Sequence, residues 1–345
     1  MKTTFLSLGL CLAFIFSAQA QSEEVQDLIR EGIKLHDKKL YPAAIARYKE
    51  AIKLDKNSAL AYYELAYTYT AMGERKKAIK MADKVLKIEG GPDDQAYMLK
   101  ANLLDDLGKT SKALSTYQTA LRAYPEDFLM HFNYGVSLFR ANRLAEAELA
   151  LLKGAQLNPA HPSGHYLLGL MKAENDQPAQ AVMALYYFLL VEPEGKRAEN
   201  AHQILMACIN GNATEGEDGS FNIMINSGSL NGVFAPANSL ISLFGISIDK
   251  LDEETEIKLS ESERIATKFK TIFGTLTELK AENPTPAEQI WLDLYVDFYR
   301  QLLEEESHLE TASNLVQLQS EDETIAEWLL AHQLEVKRLQ TFVGQ

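Results

Sequence analysis

Small and large apolar residues recur with one spacing along residues 25–194. Alanines stand at Ala44, Ala78, Ala113, Ala147 and Ala181, separated by 34, 35, 34 and 34 residues. Twelve residues ahead of each lies another small residue: Gly32, Ala66, Ala101, Gly135 and Gly169. Pro125, Pro159 and Pro193 keep the same period at the ends of the last three units. A fixed period of this length marks repeated copies of one supersecondary unit. The spacing predicts a pair of antiparallel helices. Small residues let the two helices approach, and Tyr48, Tyr117, Leu151 and Leu185 fill the space beside them. Proline, which cannot continue a helix, closes the unit.

The pattern resembles the tetratricopeptide-repeat family, a helix-turn-helix of about 34 residues. The residues that carry the resemblance are Tyr62-x-x-Leu65-Ala66-x-x-Tyr69 with Gly73 and Ala78, Tyr134-Gly135 with Ala147 and Pro159, and Leu168-Gly169 with Ala181 and Pro193. Lys56 and Gly90 replace the closing proline in the first two units, and one extra residue near Asp93 shifts the third; both departures fall in turns. The resemblance implies an all-α chain in which about five hairpins pile into a superhelix, because one hairpin cannot bury its apolar stripe alone. It also implies that the first helix of each hairpin lines a concave groove suited to a peptide or helix. The side chains expected there are Tyr63, Tyr67, Met98, Asn102, Asp105, Asp106, Phe132, Val136, Phe139, Arg140, Tyr166, Leu170 and Glu174. A groove that clamps an acidic C-terminus would need lysines and asparagines, but Ile29, Ile33, Tyr63, Tyr67 and Met98 hold those places and only Asn102 fits. The remaining alternative for the groove is that the chain's own C-terminal half fills it.

Residues 196–209 read as a capping helix with Ala201, Ile204, Leu205 and Cys208 on one face, which ends the array at about 210. A Gly-, Asn- and acid-rich loop at 211–219 opens a linker that runs to 249, uncharged from Ser220 to Ile248. Phe221–Asn226 alternates like a short strand and Pro236–Ile248 is apolar enough for a helix. Gly and Asn punctuate the run too often for contact with lipid, so burial against the cap is the expectation. Residues 250–345 are then expected to form a smaller bundle of about four helices. Ser260/Glu263, Thr285/Glu288 and Ser320/Glu323 have capping-box spacing, with Pro286 at the first helical position. Ile290, Leu294, Phe298 and Leu302 form an apolar stripe flanked by Trp291 and Tyr295, and one last helix carries Ile325, Trp328, Leu329, Val336, Leu339 and Phe342.

Charge and composition narrow the partners. The chain has 345 residues with 48 Asp and Glu against 34 Lys and Arg, a net charge of −14 with no basic tract, which repels nucleic acid. At the N-terminus, Lys2, the apolar stretch Phe5–Phe16 and Ser17-Ala18-Gln19-Ala20 form a signal peptide, residues 1–20, with cleavage expected after Ala20. The apolar run is too short for a permanent span, and export to the periplasm or cell envelope of a bacterium is the expected address. After cleavage Cys208 stands alone and reads as a small buried apolar residue.

Catalytic chemistry has little to stand on. His131 and His165 are one repeat apart and read as packing residues; His161 and His165 have the spacing of a helical zinc pair, but His161 lies between Pro159 and Pro162 in a turn. Asp105-Asp106 reads as a solvated helix end beside Gly108. No phosphate loop, dinucleotide fingerprint, nucleophile elbow or cysteine-metal cluster is present, so no enzyme activity, cofactor or metal is expected. The leading expectation is a scaffold with a protein or peptide partner. Two alternatives are a glycan-binding accessory protein that stacks sugars on Tyr63, Tyr67 and Tyr166, and a hydrolase within 212–345.

Overall fold

The computed structural model describes residues 22–210, 213–215, 221–223, 230–244, 259–320 and 322–343. The expected signal peptide and the start of the C-terminal region at 250–258 lie outside the described residues. The chain packs as two compact units, one ending at Asn142 and the other beginning at Arg143.

Among the described residues the first unit is built of helices: α1 (22–37), α2 (Tyr41–Leu54), α3 (Ala59–Ala71), α4 (Arg75–Val85), α5 (Asp93–Asp106), α6 (Thr110–Ala123) and α7 (Phe128–Arg140). Neighbouring helices pair in sequence order, α2 with α3, α3 with α4, α4 with α5 and α5 with α6. The periodic small residues are packed inside the hairpins, Ala44, Ala66, Ala78, Ala101 and Ala113 being fully buried. Gly32 shows why: a Cβ there would lie 2.4 Å from the ring of Tyr48, inside any tolerable contact.

A left-handed residue recurs after alternate helices. Lys39, Gly73, Gly108, Asn142 and Asp176 have φ of 60°, 74°, 69°, 57° and 53°, on the same period as the alanines. The next N–H bonds back over the helix end, as in Leu40 to Leu35 O, Glu74 to Tyr69 O, Lys109 to Leu104 O and Gln177 to Lys172 O, each at 2.9 Å. This satisfies carbonyls that the last helical turn leaves unpaired.

The second unit contains α8 (Leu144–Leu157), α9 (Pro162–Glu174), α10 (Pro178–Val191) and α11 (Lys196–Ile209). A two-stranded antiparallel ribbon follows, β1 (Ala213–Glu215) with β2 (Phe221–Ile223), pairing Ala213 with Ile223. After it come α12 (235–244), α13 (Glu261–Thr277), α14 (Pro286–Trp291), α15 (Asp297–Glu304), α16 (Glu306–Val316), α17 (Glu323–Ala331) and α18 (Gln333–Val343). Phe221–Ile223 of the expected short strand is present, its residues 224–226 lie outside the described residues, and its partner comes from the segment expected to be loop.

The core of this unit is α10, in which every residue from Ala179 to Leu190 is buried. A helix apolar around its whole circumference needs cover on every side. Here α9, α11, α16 and α18 supply it. Tyr186 meets Phe269 and Phe273 edge-on with ring centres 4.7 and 4.9 Å away, and Phe273 stacks on Tyr299 at 4.0 Å. The phenol of Tyr187 donates to Val343 O at 3.0 Å, and that of Tyr299 donates to Met183 O. Gly169 on α9 has no room for a side chain, since a Cβ would stand 2.5 Å from Leu185. From the uncharged segment, Phe234, Ala237, Ile241 and Phe244 are buried, and Asn238 accepts the Ala179 N–H at 2.9 Å, at the start of α10.

Several C-terminal expectations shift. Ser260/Glu263 and Thr285/Glu288 form complete capping boxes, but the third box is replaced by Asp322, which accepts from Thr324 N at 3.0 Å. The expected last helix breaks at His332 into α17 and α18. A π-turn at Leu292–Val296 joins α14 to α15 and rotates the stripe: Trp291, Tyr295, Val296, Tyr299 and Leu302 are buried, while Ile290, Leu294 and Phe298 are half-buried. On α11 the buried face is Ala198, Ala201, His202, Leu205 and Ile209, with Ile204 and Cys208 half-buried.

Candidate functional site: the first-helix face

In the first unit the first helices α3, α5 and α7 adjoin, α5 touching both of the others. Three of this unit's large apolar side chains that remain exposed lie on α3 and α7: Leu60, Tyr67 and Leu129, at 46%, 49% and 37%. Leu60, Tyr63 and Tyr67 follow one helical stripe, and Leu129, Phe132 and Val136 repeat it on α7. Leu60 and Leu129 were absent from the expected set. Their signal was the same repeat register, one turn closer to the helix start.

The other expected residues have individual fates. Tyr63 is half-buried, and its phenol is held above the ordinary range by burial first and then by Glu64, Tyr67 and Asp94. The ring of Tyr67 stacks on His36, centres 5.2 Å apart, and His36 Nδ1 bonds Thr68 Oγ1 at 2.7 Å. Met98 is half-buried, with the Asn133 amide 3.1 Å from its sulfur. Asn102 is exposed but its carbonyl accepts the Tyr117 hydroxyl. Asp105 accepts from Thr110 at 3.0 Å and pairs with Arg140 at 3.3 Å, its side chain only 7% exposed, so it is a structural carboxylate. Asp106 is exposed and faces Arg75 at 3.6 Å. Phe132, Val136 and Phe139 are half-buried and Arg140 is exposed.

In the second unit Tyr166 is half-buried and engaged by its neighbours. Its hydroxyl donates to Asn200 at 2.8 Å, Phe188 lies against one side, and the Arg197 guanidinium sits 5.4 Å from the ring centre. Leu170 is half-buried and Glu174 exposed. The C-terminal helices therefore gather around α10, the second helix of its hairpin.

The histidines are built into the frame. His131 Nε2 donates to Pro125 O and His165 Nε2 to Pro159 O, both at 2.8 Å, one repeat apart. His165 is fully buried, and burial lowers its pKa to about 4, so the ring is neutral. With its single proton on Nε2, Nδ1 must accept, and the Tyr295 hydroxyl donates to it at 2.6 Å. The Cys208 thiol is pushed up to about 11, by burial first and then by Asp176, which makes it a poor nucleophile. Among the described residues no group of three or more His, Cys, Asp or Glu could hold a metal ion, and no helix is long and apolar enough to cross a membrane.

Family models for tetratricopeptide repeats match residues 32–73, 59–91 and 98–165. The array has the tetratricopeptide-repeat fold. The chain is 31% identical over 87 residues to Hsp70-Hsp90 organizing protein 3 of Arabidopsis thaliana, covering 25% of this chain and 15% of that protein. It is 25% identical over 180 residues to anaphase-promoting complex subunit 7 of Homo sapiens, covering 52% of this chain and 32% of that protein. The chain thus spans less than a third of the length of these curated relatives. A solved structure of Pseudomonas aeruginosa PilF is 17% identical with a TM-score of 0.49, covering 69% of this chain and all of its own.

Proposed function

We propose that the protein is a non-catalytic scaffold of the bacterial cell envelope that holds a peptide segment of a partner protein on the face formed by α3, α5 and α7. One observation carries the reading: Leu60, Tyr67 and Leu129 are large apolar side chains left exposed on the first-helix face. Large apolar side chains on a shared helix face gain when a partner covers them, and aromatic rings give large contact area at small entropic cost. The apolar stretch Phe5–Phe16 followed by Ser17-Ala18-Gln19-Ala20 supports export. A sugar platform is less well supported, because the half-buried Tyr166 ring already has Phe188 and the Arg197 guanidinium against it.

The test uses peptides selected from a random library by the mature protein. Tyr67→Ala and Phe132→Ala are each expected to weaken binding about tenfold, the scale of an aromatic hot spot. Helical circular dichroism should be unchanged in both. Affinity indifferent to both substitutions would place binding elsewhere.

A further inference from the structure

The first unit has a second concavity, where α4 begins, α5 ends and α6 begins. It holds about 500 Å³. Its floor is apolar, with Leu104 buried and Ile79 and Leu107 half-buried. Around that floor stand four lysines from three helices: Lys76 on α4, Lys100 on α5, and Lys109 and Lys112 at the start of α6. One acid, Asp83, shares the lining, and Lys100 holds it at 2.7 Å. The other acids between residues 74 and 116 are matched elsewhere or distant along the helices. Glu74 pairs with Lys77 at 3.2 Å, Asp105 with Arg140 at 3.3 Å and Asp106 with Arg75 at 3.6 Å, while Glu89, Asp93 and Asp94 lie toward the opposite ends of α4 and α5. Lys76, Lys109 and Lys112 are exposed and make no ion pair among the described residues.

Charges of one sign around a low-dielectric floor focus their field into the cleft and raise the local concentration of counter-ions. A carboxylate there gains from the lysines, and an apolar side chain beside it gains by covering Ile79, Leu104 and Leu107. A phosphate group is less well served. Among the described residues no arginine fork lines the cleft, and the hydroxyls of Ser115 and Thr116 on its wall already donate to Lys112 O at 3.0 and 2.8 Å. We infer that this cleft binds an acidic peptide segment of a partner protein, with glutamate or aspartate carboxylates on Lys76, Lys109 and Lys112 and an apolar side chain on the floor. The residues are separate from those of the first-helix face, so this inference does not depend on the groove reading above.

The probe is a labelled peptide in which glutamates flank leucines, compared with its glutamine counterpart by fluorescence anisotropy on residues 21–345. The glutamate peptide should bind more tightly, and added salt should weaken it. Lys76→Gln, Lys109→Gln and Lys112→Gln together should lower its affinity about tenfold at low salt. Helical circular dichroism should not change, because all three side chains are exposed. The same loss of charge at Lys49, Lys53 and Lys56, exposed on and just after α2, should leave the affinity unchanged, as should Tyr67→Ala. Equal losses from both lysine sets, or no advantage of the glutamate peptide over the glutamine one, would overturn the inference. So would inorganic phosphate or phosphatidylglycerol vesicles binding through these lysines while the peptide's leucines can be exchanged for serine without loss. A loss on Tyr67→Ala instead would move the acidic segment to the first-helix face, overturning the cleft and leaving the groove reading standing.

Discussion

Replacing Lys172 with methionine is expected to destabilise the protein by about 3–5 kcal/mol, the scale for breaking a buried ion pair from one side. Lys172 on α9 lies 2.6 Å from Glu148 on α8, with side chains only 7% and 18% exposed. The same carboxylate accepts the indole N–H of Trp291 at 2.7 Å, and the ammonium also donates to Gln177 at 2.7 Å. Three helices, α8, α9 and α14, therefore meet on one charge pair. Methionine fills the space but leaves the Glu148 charge without its counter-ion at a mostly buried place. Adding Glu148→Gln to Lys172→Met should recover part of the loss, because the amide keeps an acceptor for Trp291 without a net charge. Urea denaturation of the two variants measures both numbers. A Lys172→Met loss below about 1 kcal/mol, the value of an exposed pair, would show that the charges are solvated.

Acid should weaken the second unit through His165. The folded pKa is about 4, because burial disfavours the imidazolium, against 6.5 for the free side chain. As pH falls through 6.5 the unfolded chain takes up a proton that the folded chain refuses until about pH 4. Stability is thus fully present above 6.5 and declines across that window, by roughly 3 kcal/mol at its lower end. His202 shifts in the same direction through burial, and carboxylates add their own acid dependence. The quantity to read is therefore the unfolding free energy of the wild type minus that of His165→Gln, from pH 7 to 4. A difference that shrinks steadily toward acid agrees with the structure, and a flat difference contradicts it.

The repeat array was legible because its rule is steric and local. Gly32 against Tyr48 and Gly169 against Leu185 are contacts that only small residues permit, so the period survives in the sequence. The hairpin turns were half visible. Gly73 and Gly108 announce a left-handed residue, whereas Lys39, Asn142 and Asp176 take the same conformation without advertising it. The packing role read for His131 and His165 was visible in their spacing, but the Tyr295 hydroxyl on His165 was not, because it arrives from 130 residues away. The pair Lys172 and Glu148 left no periodic trace for the same reason: its third member, Trp291, is 143 residues from Glu148.

In the C-terminal helices the regular 3.6-residue period misled. The π-turn at Leu292–Val296 advances the register, so Tyr295 and Tyr299 take the buried face that the stripe assigned to Leu294 and Phe298. The break at His332 has neither proline nor glycine to mark it; the ring Nδ1 and the backbone N both turn back to Trp328 O, at 2.8 and 3.0 Å. The groove residues came from repeat register alone, which names positions without saying which are already taken. Asp105 and Tyr166 occupy groove positions, but their polar atoms serve the protein's own helices.

Hydrogen–deuterium exchange of residues 21–345, with and without a selected peptide, tests the central claim most directly. Slowed exchange concentrated in 59–71, 93–106 and 128–140 is the predicted result. Protection that leaves those three helices unchanged and falls instead within 261–343 would contradict a first-helix groove as the binding surface.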